Sequence, residues 1–529
     1  MSPNLRRGAA ASFLFHVVIG LALFLVGVGV FVATLSMSHY TLTDAILKKN
    51  LRPEHYALIE PKVRPMIGRT YTSKIQFINQ YRDAVDELNE GFRSRQQWDQ
   101  LIHDSGVFGI TKDASAGLLT ERLGLWFWLS FGLAVLGALL YILPRLRELP
   151  GIKNHHIYYD PNTSRGWVGW WVGSGLIAFY ILLYQRPEYL TNWVLLVDPI
   201  SRALSGNPAS QWFLYGLLYT LAVLVMGIRM LIKYRHSRYQ QVRTVSVMFF
   251  QTAFAFLIPE ILVLLNQPYQ DLKNIWPLDY QFFFDYRIDE KIRAGGFGIF
   301  MLFWGIVLAA VGVPLLTYFF GKRWYCSWVC GCGGLAETLG DPYRQLSDKR
   351  LGAWKIERYL VHGVLVFAVV MTAAVLYTYL TGASWVLFTD SYSLRSAYGF
   401  WIGAIFAGVV GTGFYPLMGN RVWCRFGCPL AAYLGLVQRF RSRFRITTNG
   451  GQCISCGNCS TYCEMGIDVR WYAQRGQDIV RSSCVGCGVC SSVCPRGVLN
   501  LENAATGTRL TAVGSAPILI GNDGVNLRV

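Results

Sequence analysis

The sequence predicts an all-α polytopic membrane protein of about eight transmembrane helices that ends in a small cytoplasmic α+β domain. Three observations carry this. The chain of 529 residues is 53% hydrophobic with a mean hydropathy of +0.32, too apolar for an ordinary soluble enzyme. Nearly uncharged runs long enough to cross a bilayer, about 20 residues, recur along its first four-fifths. All 13 cysteines lie after residue 325, and eight of them form two identical runs near the end.

The apolar runs extend approximately over Phe13–Leu35, Leu123–Leu143, Trp167–Tyr184, Trp212–Ile232, Val247–Leu265, Phe297–Phe320, Tyr359–Leu380 and Tyr398–Met418. The first is long and lacks a small-x-small cleavage site close behind it, so it reads as a retained helix rather than a signal peptide. The implied organisation is a helix over 1–35, an external small helical domain over 36–122, helices two to five over 123–295, a membrane core over 296–445, a cysteine-rich domain over 446–502 and an extension over 503–529.

Orientation follows from the basic residues, because short cytoplasmic loops carry the Lys/Arg excess. Arg145, Arg147, Lys153 and Arg165 follow the second run; Lys233, Arg235, Arg238 and Arg243 follow the fourth; Lys322, Arg323, Arg344 and Lys349 follow the sixth. The intervening loops are poorer in base or richer in acid, as in the segment with Asp271, Asp279, Asp285, Asp289 and Glu290. Both termini are therefore expected in the cytoplasm, with the bacterial inner membrane as the setting. The net charge of +18 is topology signal plus attraction to anionic lipid. No basic-aromatic surface motif accompanies it, so nucleic-acid binding is excluded.

CISCGNCSTYC and CVGCGVCSSVCP, 31 residues apart, repeat the spacing C-x2-C-x2-C-x3-C. This is how bacterial-type ferredoxins hold 4Fe-4S clusters, the fourth cysteine of each run serving the other cluster. The crossed assignment is Cys453, Cys456, Cys459 and Cys494 for one cluster, and Cys484, Cys487, Cys490 and Cys463 for the second. Gly457, Gly486 and Gly488 suit a backbone wrapped closely round a cluster. Zinc binding by eight cysteines so arranged is the weaker alternative. Glu464 stands after Cys463 where such runs usually have proline.

Two further motifs, GKRWYCSWVCGCGG and GNRVWCRFGCPLAA, place Cys326/Cys330 and Cys424/Cys428 at the cytoplasmic ends of the sixth and eighth spans. If helical, each i,i+4 pair occupies one face, and four thiols can converge at one membrane depth. A soft donor set of this kind admits an iron–sulfur cluster, Cu(I) or Zn. A redox dithiol is the other reading, with Lys322, Arg323, Arg421 and Arg425 lowering the thiol pKa. Cys332 is an additional thiol without an assigned role.

Paired C-x3-C(P) motifs at the ends of transmembrane helices, followed by two 4Fe-4S runs, resemble the NosR/NapH/CcoG family of membrane polyferredoxins over approximately residues 297 to 500. RVWCRFGCPLAA is especially similar to the family pattern. The resemblance implies electron transfer between quinol or a cytoplasmic donor and a periplasmic or metal acceptor, within a membrane complex with redox partners on either side. Two departures stand out. Cys330 is followed by Gly331 where the family often has proline, and the segment Ser36–Arg122 has no S/T-G-A-T flavin-attachment site, which argues against covalent FMN.

Other groups could move charge. No C-x-x-C-H occurs, which excludes c-type haem. His16 and His362 are the histidines within spans, and a haem between them is a weaker reading than interfacial hydrogen bonding. Glu260 follows Pro259 inside the fifth span, where an ionisable group is costly enough to suggest proton exchange with a quinone; a protonated Glu bonded to carbonyls freed by the proline is equally consistent. RLTAV and APILI are short strand candidates in the extension. An electron-transfer subunit leads; copper reduction or metal-site assembly, and a redox-sensing regulatory protein, are the alternatives.

Overall fold

A computed structural model describes residues 3–102, 105–147, 166–383, 385–386, 389–449, 452–505, 509, 518–521 and 524–527. Lys153 and Arg165 of the basic loop, most of RLTAV and the start of APILI therefore lie outside the described residues. Among the described residues, eight helices are long and apolar enough to cross a membrane: Phe13–Ser36, Leu123–Arg147, Trp167–Gln185, Gln211–Lys233, Arg238–Leu264, Gly296–Phe320, Leu351–Thr381 and Ser391–Gly413. All eight expected spans are present. The fifth begins nine residues earlier than its apolar run (238 against 247), because its first turns carry Arg243, which is fully buried. Hydropathy alone discards such a residue. Wide π-type turns interrupt the second, fifth, sixth and eighth spans at Trp128–Gly132, Phe250–Leu257, Leu308–Gly312 and Gly399–Val410.

The chain folds as two compact units, residues 1–145 with 181–218, and residues 146–180 with 219–529. In the first, spans one and two pack backbone to backbone. A Cβ on Gly20 would lie 2.6 Å from the Tyr141 nitrogen, and one on Gly27 only 2.5 Å from that of Ala134. Small residues at such crossings let helices approach where no hydrophobic driving force separates lipid from protein.

The segment expected as a small helical domain also contains a three-stranded antiparallel sheet, Thr70–Tyr71, His39–Thr41 and Ser115–Ala116 in that order. Against it packs the helix Lys74–Ser94, whose buried residues Phe77, Ile78, Tyr81, Val85 and Phe92 follow helical spacing. The link between spans three and four supplies a further helix, Thr191–Ser205, which sequence reading left as loop. Its Asn192 accepts from the Tyr40 hydroxyl at 2.7 Å and donates to the Thr34 carbonyl at 2.7 Å; its Asp198 pairs with Lys112 at 2.8 Å.

The second unit holds spans five to eight, most of spans three and four, and the cysteine-rich domain. There Phe444–Thr448 pairs antiparallel with Leu499–Asn503, from Phe444 opposite Asn503 to Thr448 opposite Leu499. The short helices Asn458–Thr461, Val469–Gln474 and Val489–Ser492 lie between these strands in sequence, completing an α+β domain. In the extension, Ile518–Gly521 pairs with Gly524–Leu527 as a hairpin.

Candidate metal centres

The two ferredoxin-type runs fold alike. Each carries a left-handed glycine at the start of its short helix, Gly457 (φ +81°) and Gly488 (φ +71°). Each fourth cysteine accepts from the backbone N–H four residues on, Ile467 to Cys463 and Val498 to Cys494, both at 3.4 Å. Ser455 adopts φ +58° at the place where the second run has Gly486 at φ +63°. Sequence reading assigned glycine there once and missed the serine that matches it.

Burial pushes the Cys459 thiol up to about 12, and among its thiol neighbours Cys494, Cys456 and Cys453 push it further. Burial likewise raises Cys490 well above its ordinary value, with Cys487, Cys463, Cys484 and Cys459 as its thiol neighbours. The structure thus brings Cys494 to the first run and Cys463 to the second. The first set is the more exposed, with Cys456 at the surface.

The C-x3-C pairs are not carried on continuous helices, so the i,i+4 condition for sharing a helix face is not met. Cys326 ends a short turn, Arg323–Cys326, and Cys330 is extended (φ −64°, ψ 126°) at the head of the helix Gly331–Thr338. Cys424 lies in the turn Trp423–Gly427, and Cys428 is extended (φ −81°, ψ 112°) at the head of Pro429–Arg441. The second motif repeats the first in its bonds. The N–H of Cys330 donates to the Tyr325 carbonyl at 2.8 Å, and that of Cys428 to the Trp423 carbonyl at 2.9 Å. Cys428 Sγ accepts from the Ala431 N–H at 3.4 Å, and Cys330 takes the equivalent bond from Gly333.

Nor do the motifs stay at the edge of the bundle. Gly331 and Gly334 pack on Gln251 and Val247, and Gln251 is 13 residues, about 20 Å, into the fifth span. Cys326, Cys330, Cys424 and Cys428 are all buried in one core, with Cys332 packed against it. Burial raises Cys326 to about 12, with Lys322 opposing and Cys330 and Cys424 adding; Cys428 is raised by burial, then by Cys424, Cys330 and Cys326. Four thiols therefore face one another. Cys330 alone among them is held down, chiefly by a hydrogen bond from Cys332, so the unassigned thiol belongs to this group.

Of the four basic neighbours, Arg421 is the one that touches a thiol, with Nη1 3.6 Å from Cys424 Sγ. Arg425 is taken by Glu357 at 2.6 Å and the Asp348 carbonyl at 2.7 Å, Arg323 lies over the Phe444 ring at 3.9 Å, and Lys322 donates to the Ser482 carbonyl at 3.3 Å. These bases fasten the cysteine-rich domain and the membrane core more than they acidify thiols.

Several other bonds join the two. Ser327 donates to the Val485 carbonyl at 2.8 Å, Gln438 to that of Cys484 at 2.8 Å, Gln240 to that of Cys487 at 2.8 Å and Tyr239 to that of Gly486 at 3.0 Å. The loop of the second run thus lies on the membrane motifs. The same core includes Cys459 and Cys490, with Cys484, Cys487, Cys463, Cys494 and Cys453 packed against it.

A buried ionic network runs beside this junction. Glu464 meets Arg344 at 2.8 Å and Arg421 at 3.1 Å; Arg421 and Arg243 both meet Glu337; Asp341 meets Lys233 at 2.6 Å, Arg229 at 2.8 Å and Arg344 at 3.2 Å. Among the described residues the network joins five basic groups and three carboxylates, each side chain under 10% exposed. Burial opposes ionisation of Glu464, but Arg344, Arg421 and Arg243 pull its carboxyl down to about 2. The network adjoins the thiols, with Arg421 against Cys424 Sγ and Glu464 and Glu337 close to Cys487, so thiolate-bound iron–sulfur groups at these cysteines would sit beside buried, paired guanidinium groups.

Comparison with known proteins agrees. Residues 301–353 with 398–447 match the 4Fe-4S binding domain model, and 452–499 match the 4Fe-4S dicluster domain model. The C-terminal part carries ferredoxin-type 4Fe-4S domains. The chain is 30% identical over 173 residues to YccM of Escherichia coli (strain K12), named as an electron transport protein, covering 31% of this chain and 46% of YccM. It is 29% identical over 172 residues to the methylamine utilization ferredoxin-type protein MauN of Methylobacillus flagellatus, covering 31% and 57% respectively. MauN of Paracoccus denitrificans shows 28% over 169 residues, 29% of this chain and 54% of the relative. The chain thus spans about half the length of these curated relatives. No solved structure matches.

The remaining candidates lie apart from the thiol groups or beside them. Glu260, half-buried, is nine residues beyond Gln251 along the fifth span, about 13 Å. His362 donates from Nδ1 to the Arg358 carbonyl at 2.6 Å and lines a narrow cleft with Lys322, Cys424 and Ser482. His16 stands edge-on to Phe15 in the first span.

Proposed function

We propose that the chain is a membrane electron-transfer protein of NosR/NapH/CcoG type. In this reading Cys453, Cys456, Cys459 and Cys494 hold one 4Fe-4S cluster, Cys484, Cys487, Cys490 and Cys463 a second, and Cys326, Cys330, Cys424 and Cys428 a third metal centre. The observation that carries it is the shared core, in which the second run is hydrogen-bonded onto the membrane motifs and the first run faces outward.

The iron–sulfur groups supply one-electron redox chemistry. The protein's part is to fix the three thiol sets in series, exclude water from the inner two, and balance their charge with Arg243, Arg344 and Arg421. The exposed edge at Cys456 and Ile454 suits a soluble cytoplasmic donor. The inner thiols suit a membrane or periplasmic acceptor, or quinone. The basic loops favour both termini in the cytoplasm of a bacterial inner membrane.

Iron and acid-labile sulfide content, with EPR of the reduced protein, tests the reading on anaerobically purified wild type and a Cys326→Ser/Cys424→Ser double variant. More than eight iron atoms per chain in wild type, falling to eight in the variant, is expected if the third centre is an iron–sulfur cluster. Eight in both would remove that cluster.

A second reading follows from Cys332 and the cleft beside Cys424: five soft thiols with His362 nearby suit Cu(I). Copper bound in proportion to chain, and lost in the double variant, would favour copper reduction over a simple relay.

A further inference from the structure

The loop joining the fifth and sixth spans begins after Leu264 and ends at Gly296, on the side of the bundle opposite the cysteine motif that follows Phe320. A loop lying on that face would be separated from the motif by much of the bilayer core, about 30 Å. It is not. The Tyr325 hydroxyl, beside Cys326 and 1% exposed, donates to the Lys273 carbonyl at 2.8 Å. A Cβ on Gly331 would lie 2.7 Å from Lys273 Nζ and 2.7 Å from Gln251 Oε1. Ile275 belongs to the buried core that contains the four membrane cysteines.

The loop is anchored on its way in. Trp276 Nε1 donates to Thr372 Oγ1 at 3.1 Å, and the Phe282 ring fills the space above Gly305 in the sixth span. Non-helical backbone at membrane depth is tolerated where protein buries it. Lys273 is itself 9% exposed, with Asp271 as its ion-pair partner at 3.5 Å.

We propose that the segment Gln267–Phe284 re-enters the membrane to cap the Cys326/Cys330/Cys424/Cys428 centre, and that Lys273 is a positioning cation which favours that centre's reduced form. The proposal rests on the reading of those thiols as a metal centre. Reduction of a thiolate-bound metal adds one electron and one negative charge, with no bond made or broken. A buried ammonium beside Cys330 stabilises that added charge far more than it would in water.

An EPR-monitored redox titration of the anaerobically purified full chain tests this on wild type, Lys273→Met, Lys273→Gln and Lys273→Arg. At the potential where the wild-type centre is half reduced, both neutral variants should show an at least tenfold lower reduced-to-oxidised ratio, which for a one-electron couple is 59 mV. Lys273→Arg should restore most of it. The two ferredoxin-type clusters should titrate unchanged, which reports that the variants are folded. An unmoved midpoint in both neutral variants, or equal shifts of all three centres, would overturn the role of Lys273. A wild type without a third redox-active centre would overturn the underlying reading and the proposal with it, and is told apart because all four proteins would then share the defect.

Discussion

Glu464 shows how one substitution within a recurrent motif changes what the motif does. A proline after Cys463 could only have shaped the chain; a buried carboxylate there ties the cysteine-rich domain to Arg344 and Arg421. Removing one partner of a buried pair costs about 3–5 kcal/mol. Glu464→Gln should therefore lower the stability of the domain by that order, read from thermal loss of the iron–sulfur absorbance. The pH dependence has a definite sign. A carboxyl pulled down from its ordinary value to about 2 stabilises the fold above the ordinary value and ceases to do so as pH falls through about 2. The Glu464 contribution should thus be constant from pH 5 to 8 and lost only in strong acid.

This residue was visible in the sequence as an anomaly, but its partners were not. Arg344 and Arg421 are 120 and 43 positions away from Glu464, and no local period connects them. The eight ferredoxin-type cysteines were legible because metal ligation imposes spacing directly on the chain. The serine at position 455 was not, since φ +58° at a non-glycine residue leaves no compositional trace.

Among the elements, the spans were legible because a bilayer demands long apolar runs, and their ends were blurred where a buried charge such as Arg243 sits inside a helix. The helix Thr191–Ser205 escaped because it is short, half polar and interrupted by Pro199. The condition that each C-x3-C pair lie on one helix is not met, because Cys330 and Cys428 begin helices rather than continue them. The crossing of the first two spans makes a sharp test of helix packing. Gly20→Leu drives a side chain into the Tyr141 backbone 2.6 Å away, whereas Gly29 in the same helix has nothing within 4 Å. Overpacking of this kind costs about 1–3 kcal/mol. Gly20→Leu should lower the melting temperature in detergent, and Gly29→Leu should leave it unchanged.

For the whole molecule, the basic loops after spans two, four and six make a prediction about sidedness. A green fluorescent protein fused after the C-terminus should fluoresce, and alkaline phosphatase fused after Arg122 should be active. The reverse pattern would move the exposed cluster edge to the outer face and change the class of donor.

The buried ionic network also bears on how the protein matures. An iron-free chain must close the cysteine-rich domain over a dry ionic network and over thiols such as Cys326 and Cys487 that burial keeps protonated. That closure gains the free energy of cofactor binding only once the clusters arrive. Cofactor insertion and docking of the cysteine-rich domain are therefore one event, and a cell starved of iron would hold this protein open, its junction exposed to proteases, rather than store it as a finished shell.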